Sequence, residues 1–96
     1  MSAAIQQTSG GLAVTGNMTM DTAAALLASG IDALRSGEPV CDLAAVTHID
    51  SSGLAVLFGW QRAVHARGQS LQIANPPAGL ISLAEVYGVT ELLSLS

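Results

Sequence analysis

The chain has 96 residues, half of them apolar and a tenth charged, which suits one hydrophobic core and excludes a disordered or collagen-like segment. Three arginines, no lysine and seven carboxylates leave a net charge of −4. That balance argues against a nucleic-acid module and against direct contact with an anionic membrane, since both rely on clustered Lys and Arg.

The core is expected to be built from small pieces: sixteen alanines and thirteen leucines stand beside only Phe58, Trp60 and Tyr87. No apolar run approaches the roughly 20 residues of a membrane span. The opening Met-Ser-Ala-Ala-Ile-Gln lacks the basic and apolar regions of a signal peptide. The lone Cys41 has no internal partner, so a cytoplasmic location is expected, with any membrane contact made through another protein.

In chain order, residues 3–7 and 11–16 read as two strands around a Ser9-Gly10-Gly11 turn, with Leu12 and Val14 on one face. Thr19 is placed to cap a helix over 20–35, with Asp21 in its first turn, Leu26, Leu27, Ile31 and Leu34 at helical spacing, and Gly37 as its stop. Residues 39–43 read as a third strand and 44–49 as a loop. A second helix starts at Ser51 or Ser52, which would cap it, and runs to about Ala66 before Gly68. Leu71–Ile73 reads as a fourth strand closed by Pro76-Pro77. A third helix covers about 78–87, with Leu80, Leu83, Ala84 and Tyr87 on one face, and 90–95 can add a last turn. Strands alternating with helices favour a largely parallel α/β sheet with an antiparallel hairpin at its start and helices on one side.

The most informative stretch is His48-Ile49-Asp50-Ser51-Ser52-Gly53-Leu54, followed by Leu-Ala-Val-Leu-Phe-Gly-Trp over 54–60. At about 100° per residue, Leu54, Leu57, Phe58 and Val64 form one stripe. Val56, Gly59, Trp60 and Ala63 form a second, with Ala55 at its edge. A helix on a small sheet buries one stripe, so the second is expected to face a protein partner, with Trp60 as its anchor. The alternative is that neighbouring elements cover both.

Val40-Cys41-Asp42-Leu43, the Asp50-Ser51-Ser52-Gly53-Leu54 signature, the upstream Leu-x-Val-x-Gly at 12–16 and Leu71-Gln72-Ile73 together resemble the STAS domain (sulphate transporter and anti-sigma-factor antagonist) over nearly the whole chain, 1–96 as one domain. The resemblance implies a non-enzymatic α/β protein with a mixed, mostly parallel sheet of about four strands. Two branches fit. Ile81 to Val89 is more similar to MlaB, the cytoplasmic STAS subunit that docks on the ATPase of an ABC transporter maintaining outer-membrane phospholipid asymmetry. Such a subunit would lie at the inner membrane through its partner. The Ser51-Ser52 pair is closer to anti-sigma-factor antagonists, in which the residue matching Ser51 is phosphorylated by an anti-sigma factor that is also a kinase. Gly16-Asn17-Met18-Thr19 departs from the Gly-Glu-Leu-Asp common to both.

The preferred reading is the transporter subunit, with the phospho-switched antagonist as alternative and a homodimer through the second stripe as third. The expected docking residues are Asp50, Ser51, Ser52, Ala55, Val56, Gly59, Trp60 and Ala63, with Ser51 also the phosphorylatable one. His48, Asp50 and Ser51 hold the residue types of a triad but stand too close in sequence to orient one another. Cys41, His48, Asp50 and His65 repeat no metal-ligand spacing. With no P-loop and no lysine, no cofactor is expected.

Overall fold

The computed structural model describes residues 3–8, 10–35 and 38–93. Along the chain these form β1 (Ala3–Thr8), β2 (Gly11–Met18), α1 (Ala23–Ala33), β3 (Val40–Ile49), α2 (Ser51–His65), β4 (Gln72–Ala74), α3 (Ala78–Val86) and a 3-10 turn at Thr90–Leu92. Ser9 of the expected turn, the Gly37 stop, and residues 94 and 95 lie outside the described residues.

The strands form one sheet in the order β1-β2-β3-β4. β1 and β2 are an antiparallel hairpin, while β2, β3 and β4 run parallel, as the alternation of strands and helices requires. Leu12, Val14, Cys41, Leu43 and Ile73 are buried on the face that carries the helices. Ala13, Thr15, Asp42 and Gln72, which alternate with them, are half-buried or exposed. The fold is therefore the expected α/β sheet with its helices on one side.

β3 differs from expectation, because 44–49 continues the strand instead of forming a loop. Its inward residues are Cys41, Leu43, Val46 and Ile49, a spacing of two and then three. The register with β2 shifts twice: Ala13 pairs with Asp42 and Thr15 with Ala45, then Gly16 with Val46 and Asn17 with His48. Each shift inserts one extra residue into β3, so strict alternation fails although pairing persists. At the first insertion the Asp42 carboxylate accepts the Ala44 N–H at 2.9 Å and the Asn75 amide at 3.0 Å. The Asn75 bond, then the Ala44 bond, hold the Asp42 carboxyl below its usual range.

α1 also starts later than expected. Thr19 does not cap it. Residues 20–22 are a turn, Thr22 holds the cap position, and Asp21 lies outside the helix. The Thr22 hydroxyl points back into the preceding loop, 2.8 Å from the Asn17 carbonyl and 3.1 Å from that of Thr19. β4 is shifted one residue, with Leu71 buried just before it.

The largest correction concerns α2. Trp60 is 0 % exposed, Val56 and Gly59 are buried, and Ala63 is half-buried. The second stripe is covered by α1, so it is not an exposed docking face. The indole N–H lies 3.2 Å from both the Leu26 and Leu27 carbonyls of α1, and the ring occupies the space a side chain at Gly30 would need: a Cβ there would come 2.1 Å from the Trp60 ring. The expectation of a free stripe counted the sheet alone as cover. α2 is flanked by α1 on one side and α3 on the other, which covers both stripes and leaves only Phe58 and Ala63 half-buried.

Cys41 is wholly enclosed beneath these helices. Burial first, and then the neighbouring Asp42 charge, push its thiol from an ordinary 9.0 up to about 12. We expect no reaction with thiol reagents at neutral pH until the chain unfolds; rapid labelling of the native protein, followed by mass spectrometry, contradicts this core. The sign for stability follows: the contribution is complete below pH 9.0 and erodes as pH rises toward 12.

Candidate functional site

The end of β3 delivers Asp50 to the start of α2, and Asp50, not Ser51 or Ser52, caps that helix. Its Oδ1 accepts from the Ser52 N–H at 2.8 Å and the Gly53 N–H at 3.3 Å, satisfying two of the helix's free amides. Its Oδ2 accepts from the Met20 N–H at 3.2 Å, and its own N–H donates to the Met18 carbonyl at 3.2 Å. One residue thus closes the helix and pins the β2–α1 loop beside it.

Gly53 completes the junction. A Cβ there would lie 2.3 Å from the Met18 carbonyl oxygen and 2.7 Å from Ile49 Cγ1. The first turn of α2 rests directly on the backbone at the end of β2, which only glycine permits. The Asp-Ser-Ser-Gly run is therefore a structural joint as well as a presenting device.

Because Asp50 does the capping, Ser51 is released. It is the first residue of α2 and exposed, and its hydroxyl makes no hydrogen bond within the described residues. Ser52 is half-buried beside it. From Ser51 an open apolar groove runs between α2 and the segment that leaves α3 (the α2–α3 groove), lined by Leu54, Ala55, Phe58, Tyr87 and Val89. Tyr87 is 56 % exposed and Val86, next to it, 80 %. At the far end of α2, Arg62 and His65 are exposed and stand in the last turn, where positive charge suits the helix dipole. On the loop held by Asp50, Met20 is exposed and Asp21 accepts a hydrogen bond from the Thr19 hydroxyl. That bond leads the causes that keep the Asp21 carboxyl below its usual range.

Of the expected site residues, the structure brings Asp50, Ser51, Ser52 and Ala55 to one surface and removes Val56, Gly59 and Trp60 into the core. Ala63 faces a different hollow, with Ile31 of α1 and Leu34 just beyond it. The wall made by Tyr87 and Val89, just past the end of α3, is the part sequence reasoning missed, since Tyr87 reads as one of four inward residues at helical spacing. The signal was at hand in Val86-Tyr87-Gly88-Val89, an uncharged run that begins on the last residue of α3 and continues beyond it. No triad forms: both Asp50 oxygens are taken by backbone amides, and His48 bonds neither Asp50 nor Ser51. No cluster of His, Cys, Asp and Glu suited to a metal occurs among the described residues. No helix among them is long and apolar enough to cross a membrane.

Known structures share this architecture. The anti-sigma factor antagonist SpoIIAA in its unphosphorylated form aligns with a TM-score of 0.66 at 14 % identity, over 99 % of this chain and 87 % of that one. A Thermotoga maritima protein assigned as an anti-sigma factor antagonist aligns at 0.74 and 13 % identity, over 96 % and 83 %. A sulfate transporter family protein from Wolinella succinogenes aligns at 0.66 and 20 % identity, over 86 % and 71 %. At these identities the likeness is one of fold. No curated protein sequence gives a significant match. Residues 1–94 match the family model described as "Mlab, STAS domain", and on that match the chain belongs to the STAS-domain family.

Proposed function

We propose that this chain is a non-enzymatic accessory subunit that docks on, and regulates, the ATPase subunit of an ABC-type phospholipid transporter, using the Ser51 end of the α2–α3 groove. The observation that carries the reading is an apolar groove open to solvent with an unengaged hydroxyl at its mouth. Such a surface suits a protein partner: Ala55 permits close approach, Phe58 and Tyr87 supply aromatic anchors, and Ser51 offers one directional hydrogen bond. The MlaB description of the matching family model supports an ATPase as that partner. Asp50 acts through positioning, holding Ser51 and Ser52 in place.

A second reading is a phospho-switched anti-sigma-factor antagonist, favoured by the exposure of Ser51 and by the antagonist fold relatives. Phosphorylation adds roughly −1.5 to −2 charges. A phosphate on Ser51 would stand at the positive end of the α2 dipole, on an exposed side chain that no contact of the fold uses, so the fold survives. The groove would then carry a charge that a docking partner has to desolvate, and binding would be lost without unfolding.

Calorimetric titration against the purified ATPase subunit tests the first reading. The native chain is expected to bind, and Ala55→Asp and Ser51→Asp to weaken binding about tenfold or more at unchanged melting temperature. Undiminished affinity in both folded variants contradicts the reading. A native chain that ignores the ATPase and binds a purified anti-sigma kinase supports the second.

A further inference from the structure

α2 turns one narrow face to solvent. Of its fifteen residues only Ser51, Ala55, Arg62 and His65 are exposed, with Phe58 half-buried among them. These five are spaced four, three, four and three apart, so at about 100° per residue they lie within an arc of about 80°. That spacing makes a seam on which a second helix packs with its axis nearly aligned. From Ser51 to His65 the seam runs about 21 Å, at ~1.5 Å per residue.

Its chemistry changes along the way. Ser51, Ala55 and Phe58 carry no charge and border the α2–α3 groove. A second hollow continues from there, lined by Phe58, Gln61, Arg62, His65 and Leu92. Phe58 belongs to both, so the two make one track, and Gln61 ties the far wall to the helix by donating to the Leu92 carbonyl at 2.6 Å. The track ends on a cation that the fold does not use. Arg35 pairs with Asp32 at 3.5 Å, and Arg67 donates to the Arg35 carbonyl at 2.9 Å. The Arg62 guanidinium has no hydrogen bond or ion pair among the described residues, although Glu91 adjoins Leu92. In a chain of net charge −4, that arginine is available to a carboxylate from outside.

On the docking already proposed for Ser51 and Ala55, we infer that the track takes one amphipathic helix of the partner, about four turns long, antiparallel to α2, with carboxylates in its first turn against Arg62 and His65. Charge selects this direction. An antiparallel neighbour sets its positive N-terminal end beside the negative C-terminal end of α2, and acidic residues are at home in a first helical turn. The other end agrees. The last turn of such a helix has carbonyls without partners inside it, and Ser51 has a hydroxyl to donate to them. Shape sets the middle: a bulky apolar residue of the partner fits beside Ala55, Tyr87 and Val89, and a small one opposite Phe58.

Calorimetric titration of the full chain with the purified ATPase subunit, at low and at high salt, tests the inference. The native affinity is expected to fall as salt rises. Arg62→Glu, an exposed change, should weaken binding about tenfold or more and flatten that dependence, with the melting temperature nearly unchanged. A lysine in place of one first-turn carboxylate of a single ATPase helix should restore binding to the Arg62→Glu chain. If Arg62→Glu binds as tightly as the native chain while Ala55→Asp is impaired, the inference is overturned and the docking proposal stands. If neither variant is impaired, or the native chain does not bind, both fall. Failure of every such lysine to restore binding also overturns the inference.

Discussion

Trp60→Ala should destabilise the domain by about 3–5 kcal/mol, a large share of the ~5–15 kcal/mol that holds a domain of this size together. The indole is 0 % exposed and is the largest fully buried side chain among the described residues. Its removal leaves a cavity walled by α1, and the Leu26 and Leu27 carbonyls lose their side-chain donor. At about 4–8 °C per kcal/mol, the loss is plain in a thermal melt.

Gly30 makes this prediction specific. In the native chain Gly30→Ala drives a Cβ to 2.1 Å from the indole and should be strongly destabilising. In a Trp60→Ala background the same change fills part of the void and adds a better helix former, a gain of about 1 kcal/mol. The double-mutant cycle is therefore expected to show coupling large enough to reverse the sign of Gly30→Ala. Additive effects would mean that Trp60 and Gly30 do not interlock.

Gly53→Ala is expected to have the second largest effect, at or above the upper end of the ~1–3 kcal/mol typical of overpacking. The added Cβ meets the Met18 carbonyl oxygen at 2.3 Å, and a backbone atom cannot rotate away. Relief requires α2 to lift from the end of β2, which strains the Asp50 bonds to Ser52 and Gly53 and releases Met20. Gly59→Ala is the informative control. Its nearest obstacle is the Leu27 Cδ1 at 2.5 Å, the end of a flexible side chain, so its cost should be much smaller. Comparable melts for the two variants would show that the joint between β2 and α2 is not rigid.

These residues also explain what was legible in the sequence. The element order and sheet class follow from alternating apolar strands and helices and from the Gly and Pro positions between them. The Asp-Ser-Ser-Gly run marks the joint, although it could not say which of three polar side chains does the capping. β3 was cut short because two inserted residues break its period while its pairing continues. Trp60 was misplaced for a different reason: the pattern of a single helix cannot tell how many neighbours flank it. A tryptophan facing glycine in the next helix is a long-range fit, and Gly30 and Trp60 stand thirty positions apart. The groove likewise takes one wall from α2 and the other from the end of α3, so no single stretch contains it. Only Ser51 and Ala55 were identifiable from one element alone.

The central claim is that the partner meets the Ser51 end of the α2–α3 groove and leaves the buried tryptophan stripe untouched. The most direct measurement is the footprint of the purified ATPase subunit on the isotopically labelled chain, read from amide chemical shifts and cross-saturation. The account predicts that transfer is strongest at Ser51, Ala55, Phe58, Tyr87 and Val89, and absent from the exposed Ala24, Ala25 and Ala28 on α1. Transfer concentrated on α1 or on the open face of the sheet, with the groove residues silent, would contradict it.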